Sequence, residues 1–167
     1  MATVSIPLHP EEAQFLASAF PAFYVVRGTN FPVPGLAFDA ASDEAAHWKF
    51  YADSYGSGNL TVTVFWYADT ATSGDVIWGA QLACITPNTD SQDIETDGLA
   101  TANTVTDSHI GTTGQRLHSA AITVSNLDSI AAGDYVNLRL YRDADAGGDT
   151  MAGDAIVTMV VVSYSDT

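Results

Sequence analysis

Alternation of apolar and polar residues over Asn59–Ala68 constrains the fold of this chain more than any other feature of its sequence. Apolar side chains occupy every second position there, which is the spacing that puts them on one face of a β-strand. These positions are Leu60, Val62, Val64 and Trp66. The residues between them are threonines and aromatics, which suit a pleated surface. The segment therefore predicts a strand with one face in a hydrophobic core.

The same period of two recurs along the chain, so most of it is predicted to form strands. The longer candidates are Glu44–Tyr51, Val76–Ile85, Arg116–Val124, Tyr135–Arg142 and Asp154–Tyr164, and the shorter ones are Phe23–Arg27, Leu36–Asp39 and Leu99–Thr106. Since Asp154–Tyr164 is nearly all apolar, both of its faces are expected to be covered, which is typical of a central strand.

The polar turn Asp69–Asp75 separates two strongly alternating segments and predicts how they pair. Asn59–Ala68 and Val76–Ile85 are expected to form an antiparallel hairpin around it. Helix signals are confined to Pro10–Ala19 and to one turn within Ser125–Gly133. This many strands in 167 residues predict an all-β fold, an antiparallel sandwich of two sheets.

The alternation also assigns side chains to the core. The predicted core includes Trp66, Val136, Leu138, Leu140 and Val160. All three tryptophans alternate with the inward set, which favours core packing over a sugar-stacking platform, and the single cysteine, Cys84, is predicted to be a small buried hydrophobe. Other aromatics fall on the outward faces, which predicts cover by the other sheet or by another subunit. They are Tyr51, Phe65, Tyr67 and Tyr141.

Residues 1–34 differ from the rest because they contain five of the six prolines. Proline cannot donate a ladder hydrogen bond, so this part is predicted to be an extended N-terminal arm or edge, and residues 35–167 the sandwich domain. Its apolar side chains need cover from neighbouring subunits or an underlying shell. The predicted interface residues are Val4, Ile6, Leu8, Phe15, Leu16, Phe20 and Phe23. Deletion of residues 1–20 is expected to leave the domain folded.

Charge narrows the choice of partner. The chain carries 5 basic against 20 acidic residues, a net charge of −15. Direct nucleic-acid binding is not expected, because it requires clustered Lys and Arg, and an anionic membrane surface is disfavoured for the same reason. The N-terminus lacks a basic and then apolar leader, so no secretory signal is expected.

The sequence predicts no enzyme. The four histidines are not at the spacing of a metal motif, and no nucleophile elbow is present. The best metal candidates are Asp143, Asp145 and Asp149, whose spacing is like that of a Ca²⁺ loop. The set lacks the bidentate Glu of an EF-hand, so a solvated turn is expected and no metal or other cofactor is predicted.

Several short motifs between residues 35 and 167 carry a resemblance to a known family. They are Phe38-Asp39, His47-Trp48-Lys49-Phe50, Phe65-Trp66-Tyr67-Ala68, Ser73-Gly74-Asp75-Val76-Ile77-Trp78, Ala132-Gly133-Asp134, Arg139-Leu140-Tyr141-Arg142-Asp143 and Asp149-Thr150-Met151-Ala152-Gly153-Asp154-Ala155. Together they resemble a jelly-roll β-sandwich module of tailed-bacteriophage virion proteins. The resemblance implies a jelly-roll-like fold with a structural role and no active site.

This resemblance implies a noncatalytic protein that decorates the outer capsid surface of a virion. Its partners would be the major capsid protein and further copies of itself, as a homotrimer. One alternative is a small tail, baseplate or fibre component. Another is a carbohydrate-binding module, which would need aromatic side chains exposed on a concave face or at loop tips.

Overall fold

The computed structural model describes residues 2–167. Ten strands run through them: β1 Thr3–Leu8, β2 Ala22–Arg27, β3 Pro32–Phe38, β4 Glu44–Tyr51, β5 Ser57–Ala68, β6 Asp75–Ile85, β7 Asn103–Ser108, β8 His118–Val124, β9 Tyr135–Arg142 and β10 Ala155–Ser165. The helix predicted over Pro10–Ala19 is limited to a 3₁₀ turn, Pro10–Glu12, and no helical turn forms within Ser125–Gly133. No helix in this part of the chain has the length and apolar character to cross a bilayer.

The strands form two antiparallel sheets packed face to face. The six-stranded sheet has the order β2-β3-β10-β5-β8, and β1 also pairs with β10. The four-stranded sheet has the order β4-β9-β6-β7. The predicted all-β, two-sheet antiparallel sandwich is therefore confirmed, as is the central position of β10, which has paired neighbours on both sides.

The core lies between the two sheets and contains the predicted residues. Trp66, Val136, Leu138, Leu140 and Val160 are all fully buried. The three tryptophans are buried as predicted, and the rings of Trp66 and Trp78 pack edge to face with centroids 6.1 Å apart. Edge-to-face contacts of this kind add to the energy of burial.

The predicted hairpin between Asn59–Ala68 and Val76–Ile85 is wrong. β5 pairs with β10 and β8 in the six-stranded sheet, whereas β6 pairs with β9 and β7 in the four-stranded sheet. Residues 69–74 therefore cross from one sheet to the other. Alternation identifies the face that a strand buries but not its partner, and here two apolar faces meet the same core from opposite sides.

The first 34 residues add strands to the edge and centre of the larger sheet. β1 pairs with β10 from Thr3 to Leu8, and β2 pairs with β3 along its whole length. β3 begins with two of the prolines, and its pairing with β10 is confined to Leu36–Phe38, beyond both of them. Both prolines lack a backbone N–H, but they lie outside the part of β3 that pairs with β10, so the missing donors affect only the edge of the sheet.

The seven predicted interface residues divide into two groups. Leu8 is only 4% exposed and belongs to the core, while Val4 and Ile6 pack against it. Their assignment to an external interface is corrected, because β1 is a paired strand whose inward side chains meet the sandwich interior. The other four are exposed, as an interface requires: Phe15, Leu16, Phe20 and Phe23.

Candidate binding cleft

The outer face of the four-stranded sheet carries polar and aromatic side chains. Alternation along β4, β6 and β9 turns one set of residues into the core and the other set outward. The outward set is His47, Lys49, Tyr51, Gln81, Ala83, Ile85, Tyr135, Asn137, Arg139 and Tyr141. Six of these side chains form the floor of a shallow cleft: His47, Lys49, Ala83, Ile85, Tyr135 and Asn137.

One wall of the cleft comes from the chain after the 3₁₀ turn. Gln14 and His47 exchange two backbone hydrogen bonds, with N–O distances of 2.8 and 2.9 Å. This bridge holds Phe15 and Leu16 beside β4, where they border a depression of about 160 Å³. Leu16 is 68% exposed, so the wall offers an apolar surface to solvent.

The opposite wall is the acidic connection between β6 and β7, residues 86–102. Gln81 donates from Nε2 to the Ala100 carbonyl at 2.9 Å, and Ala100 donates its N–H to Leu82 at 2.8 Å. The connection thereby places Ile94, Glu95 and Asp97 beside a second depression of about 230 Å³. Both depressions include Lys49 and Asn137, so they form two halves of one cleft.

Hydrogen bonds and ring contacts order the outer face of the sheet in and around the cleft. The His47 Nδ1 and Asn137 Oδ1 atoms lie 3.3 Å apart. Arg139 donates from Nη1 to Gln81, and its guanidinium carbon lies 4.5 Å from the centroid of the Tyr141 ring. That ring lies directly over Gly79, where a Cβ atom would collide with it. Glycine at this position therefore permits the ring to lie flat against the sheet.

Two polar atoms bordering the cleft have no hydrogen-bond partner within residues 2–167. They are Nε2 of His47, on the N-terminal side, and Oδ2 of Asp97, on the acidic wall. Burial lowers the pKa of His47, so its imidazole is neutral at physiological pH. Most buried polar atoms in folded proteins are hydrogen-bonded to protein or to ordered water, and Tyr67, Trp78 and His118 each contain a further unpaired atom away from the cleft.

The outer face of the six-stranded sheet differs in chemistry. A groove of about 380 Å³ runs over it, and its lining is mostly apolar. It is lined by Val26, Phe31, Val33, Tyr67, Gln115, Leu117 and Thr158. Phe31 is 69% exposed and Leu117 is 61% exposed. Of the outward aromatics, Tyr67 is buried and Tyr51 is largely exposed.

The three predicted metal candidates do not come together. Asp149 forms a bidentate pair with Arg142, with distances of 3.0 and 2.7 Å, and both side chains are buried. Asp143 and Asp145 instead cluster with Asp43, with candidate ligand atoms within 4.8 Å of one another. Sequence spacing could not identify Asp43, which lies in a different loop. The absence of a metal at this turn stays a prediction.

Two side chains with reactive groups, Cys84 and His118, are packed in the interior. Cys84 is buried as predicted, and burial raises the pKa of its thiol to about 12, so no thiolate nucleophile forms at neutral pH. His118 lies on the apolar face of its strand, as predicted, and stacks on Trp66 with centroids 4.4 Å apart.

Comparison with known proteins does not identify a family for this chain. No family model matches it, and no curated protein matches it. Among solved structures, carbohydrate-binding module CBM36 in complex with calcium and xylotriose aligns with a TM-score of 0.47 and 13% identity, over 93% of this chain and 97% of that one.

Two further solved structures of carbohydrate-binding modules align with similar TM-scores and sequence identities. CBM28, described as specific for non-crystalline cellulose, aligns with a TM-score of 0.48 and 10% identity, over 91% of this chain and 85% of that one. The family 11 module from Clostridium thermocellum, in complex with a mixed-linked tetrasaccharide, aligns with a TM-score of 0.46 and 8% identity, over 96% and 87%. Values this low assign neither a family nor a ligand to this chain.

Proposed function

We propose that this chain is a noncatalytic binding module that holds a carbohydrate in the cleft on its four-stranded sheet. The observation that carries this proposal is the cleft itself, a floor of aromatic, amide and cationic side chains between two walls. Ligand sites commonly combine apolar surface with a few convergent polar groups that fix orientation. A sugar presents the matching combination of apolar C–H faces and hydroxyl groups.

The floor supplies both kinds of contact. Tyr135 offers an aromatic surface to the larger depression, and the Asn137 amide can donate to and accept from sugar hydroxyls. Leu16 and Ile94 provide apolar surface on the two walls. The two depressions share Lys49 and Asn137 and form one continuous cleft, which suits a chain of several sugar units.

The placement of acidic groups supports binding without catalysis. Glycoside hydrolysis commonly uses two carboxyl groups that flank the scissile bond. The carboxylates bordering this cleft, Glu95 and Asp97, both belong to the same wall. The facing side of the cleft presents Lys49 and His47 instead, so this pair does not straddle a ligand.

A binding assay with matched variants tests the proposal. Titration calorimetry against a panel of plant, algal and bacterial oligosaccharides should find at least one ligand. Tyr135→Ala and Asn137→Ala should each weaken its binding about tenfold or more, which corresponds to the loss of about 1.4 kcal/mol. Val26→Ala, in the groove of the other sheet, is the control and should bind normally. Failure of the whole panel, or equal losses in all three variants, would contradict the proposal.

A second candidate function is that of a virion structural protein on the outer capsid surface. The apolar groove of the six-stranded sheet supports it, since exposed residues such as Phe31 and Leu117 gain from cover by another protein. The exposed Phe15, Phe20 and Phe23 add to this apolar surface. The partners proposed on this account are the major capsid protein and further copies of the chain, as a homotrimer. A tail component would use the same surfaces.

Assembly measurements separate this candidate from the first. Light scattering of the purified protein should give three times the monomer mass, and capsids stripped of accessory proteins should bind it. Phe31→Ser and Leu117→Ser should abolish both effects and leave glycan binding intact. A monomer that does not bind capsids at micromolar concentration would exclude the decoration role, and binding to isolated tails alone would favour the tail position.

A further inference from the structure

β2 is an edge strand whose free side has no cover. It ends the six-stranded sheet and pairs with β3 along its whole length. Within residues 2–167, the backbone of β2 makes no hydrogen bond to any other segment. Phe23, Tyr24 and Val25 are each at least 41% exposed, so the strand presents apolar side chains together with its free edge. An edge of this kind can pair with a further extended strand.

The other edge strands are covered or interrupted. The segment before β2 runs along β4, where Ala45 donates its N–H to the Ala19 carbonyl at 2.9 Å. The edge strands β7 and β8 lie against each other, and the Asn103 side chain accepts the backbone N–H of Ser125 at 3.0 Å. β1 contains Pro7, which has no N–H to donate to a further strand. β2 has neither cover nor proline and therefore differs from these edges.

Two prolines in β3 determine which backbone groups of β2 face outward. Arg27 lies opposite Pro32. Val25 lies opposite Pro34, two positions along the ladder. Because proline has no N–H, neither position can be a hydrogen-bonded pair, and the alternation of the antiparallel ladder makes Phe23 a non-bonded position as well. The N–H and C=O groups of these three β2 residues therefore point away from β3, toward the free edge.

The outward groups match a second copy of the same strand. When two β2 strands run antiparallel about a two-fold axis at Val25, each Val25 lies opposite its own copy, and Phe23 lies opposite Arg27. All three outward residues then have backbone partners, whereas an axis at Tyr24 would leave Arg27 unpaired. The axis at Val25 also sets Tyr24 opposite Val26, and aromatic and β-branched residues in such cross-strand positions stabilise a sheet.

Charge also favours this edge as the contact between two copies. The net charge of −15 makes two copies repel each other over most of their surface. Residues 13–38 contain no Asp or Glu, and Arg27 is their only charged residue. Two copies can therefore approach along β2 without bringing carboxylates together. In the pairing about Val25, each Arg27 lies opposite an aromatic residue rather than opposite a second Arg27.

We propose that two copies of this chain pair through their β2 edges, antiparallel about Val25, and join their six-stranded sheets into one continuous sheet. The inference does not depend on the proposed carbohydrate binding, because no residue that lines the cleft belongs to β2. It gives a two-fold dimer, which distinguishes it from the homotrimer of the second candidate function.

Sedimentation equilibrium of the full chain tests the pairing. At about 500 mM NaCl, where charge repulsion is screened, the protein should show twice its monomer mass of 17.6 kDa. At about 20 mM NaCl the dimer should dissociate about tenfold or more readily, because the repulsion between two acidic chains then extends further. A monomer at about 100 μM in both salts would overturn the inference. Three times the monomer mass would also overturn it and favour the homotrimer.

Charged variants test the position of the axis. Val25→Lys should be monomeric, because it places two lysines opposite each other. Ile110→Lys is the matched control, since it adds the same charge at an exposed aliphatic residue between β7 and β8 and should dimerise like the wild type. Both variants should keep the wild-type circular dichroism spectrum, because both side chains are exposed.

A mixing experiment completes this test. Val25→Glu should also be monomeric, whereas an equal mixture of Val25→Glu and Val25→Lys should form a heterodimer, because opposite charges then meet at the axis. Dimerisation of Val25→Lys alone would show that the copies meet at another surface and would overturn the inference. Failure of the mixture to associate would overturn the pairing about Val25.

Discussion

The two faces of the four-stranded sheet are built from the same strands and differ in almost every property. On β9, Val136, Leu138 and Leu140 point inward and are fully buried. Asn137 and Arg139 alternate with them and point outward, and Asn137 lines the cleft. Alternation thus separates two tasks along one strand, since the inner residues hold the sandwich together while the outer residues are free to bind.

Arg142 is the exception to this division. It ends β9 on the inner side and is fully buried, although it carries a charge. Asp149 binds its guanidinium at two positions, and the carbonyls of Phe38, Met151 and Gly153 accept its remaining hydrogen bonds. A charge is tolerated on the inner face only with this full set of partners.

The largest effect is expected from breaking that buried pair. Arg142→Met should lower the free energy of unfolding by about 3–5 kcal/mol, because it leaves the Asp149 carboxylate buried without its partner. Urea unfolding measures the loss. The double variant Arg142→Met/Asp149→Leu is the control and should recover much of it, since no charge then remains buried. A loss under about 1 kcal/mol in the single variant would show that the pair is not buried.

A somewhat smaller loss of unfolding free energy is expected from truncating a leucine on the apolar inner face. Leu138→Ala should cost about 2–5 kcal/mol, the usual range for truncating a buried leucine. The neighbouring outward variant Asn137→Ala should stay within about 1 kcal/mol of the wild type. If the two variants were equally destabilising in the same urea assay, the distinction between the inner and outer faces would not hold.

The two buried histidines predict that the free energy of unfolding decreases as the pH falls. Burial lowers the pKa of both His47, on the outer face, and His118, in the interior. The unfolded chain, with a histidine pKa of about 6.5, then binds protons at a higher pH than the folded protein does. Stability is therefore full above about pH 6.5 and falls as the pH decreases toward the lowered folded values.

Unfolding free energies at pH 7.5, 6.5 and 5.5 check this expectation. The wild type should lose stability over this range, and His118→Gln should show a shallower slope because it removes one of the two titrating groups. A free energy of unfolding that rises as the pH falls from 7.5 to 5.5 would contradict the assignment of the histidines as buried and neutral.

The smallest effect is expected from disturbing the side chains beside the cleft. Gly79→Ala places a methyl group where the Tyr141 ring now lies, and the ring must move away from the sheet. Arg139, which packs on that ring, should lose part of its fixed orientation. We expect the glycan identified by the calorimetric panel to bind at most about twofold more weakly, because neither Tyr141 nor Arg139 lines the cleft. A loss of about tenfold would show that these two side chains contact the ligand.

Sequence patterns predicted the inner face well because burial imposes a strict period on a strand. The inward residues of β5 and β9 were assigned correctly from alternation alone. The pairing of Asn59–Ala68 with Val76–Ile85 was wrong because proximity in sequence favours a hairpin, whereas here the chain crosses between sheets. The partner of a strand depends on the whole topology, which a local period does not contain.

The N-terminal region shows a second limit of local reasoning. Its prolines predicted an arm or edge, yet β1 pairs with β10 and Leu8 is buried in the core. The Trp48 indole also donates to the His9 carbonyl at 2.8 Å. These contacts argue against the expectation that residues 1–20 can be deleted without loss of folding. No local pattern within residues 1–34 contains this pairing, because β10 lies at the other end of the chain.

The cleft could not be predicted because its parts are distant in sequence. The Gln14 bridge, Lys49 and Asn137 come from three separate segments, and the acidic wall is a fourth. The one local signal was the outward set of β4 and β9, which combines aromatics with two of the few cations in the chain. That combination predicts a face covered by other protein, whereas Tyr51 is 61% exposed in the structure.

The central claim is that ligand binds on the outer face of the four-stranded sheet, and amide chemical shifts test it most directly. Uniformly ¹⁵N-labelled protein is titrated with the oligosaccharide that binds in the calorimetric panel. We expect the shift changes to cluster at Lys49, Tyr135 and Asn137 and along residues 94–97, with little change at Phe31 and Leu117. Changes confined to the apolar groove of the six-stranded sheet, or none at millimolar ligand, would contradict the claim.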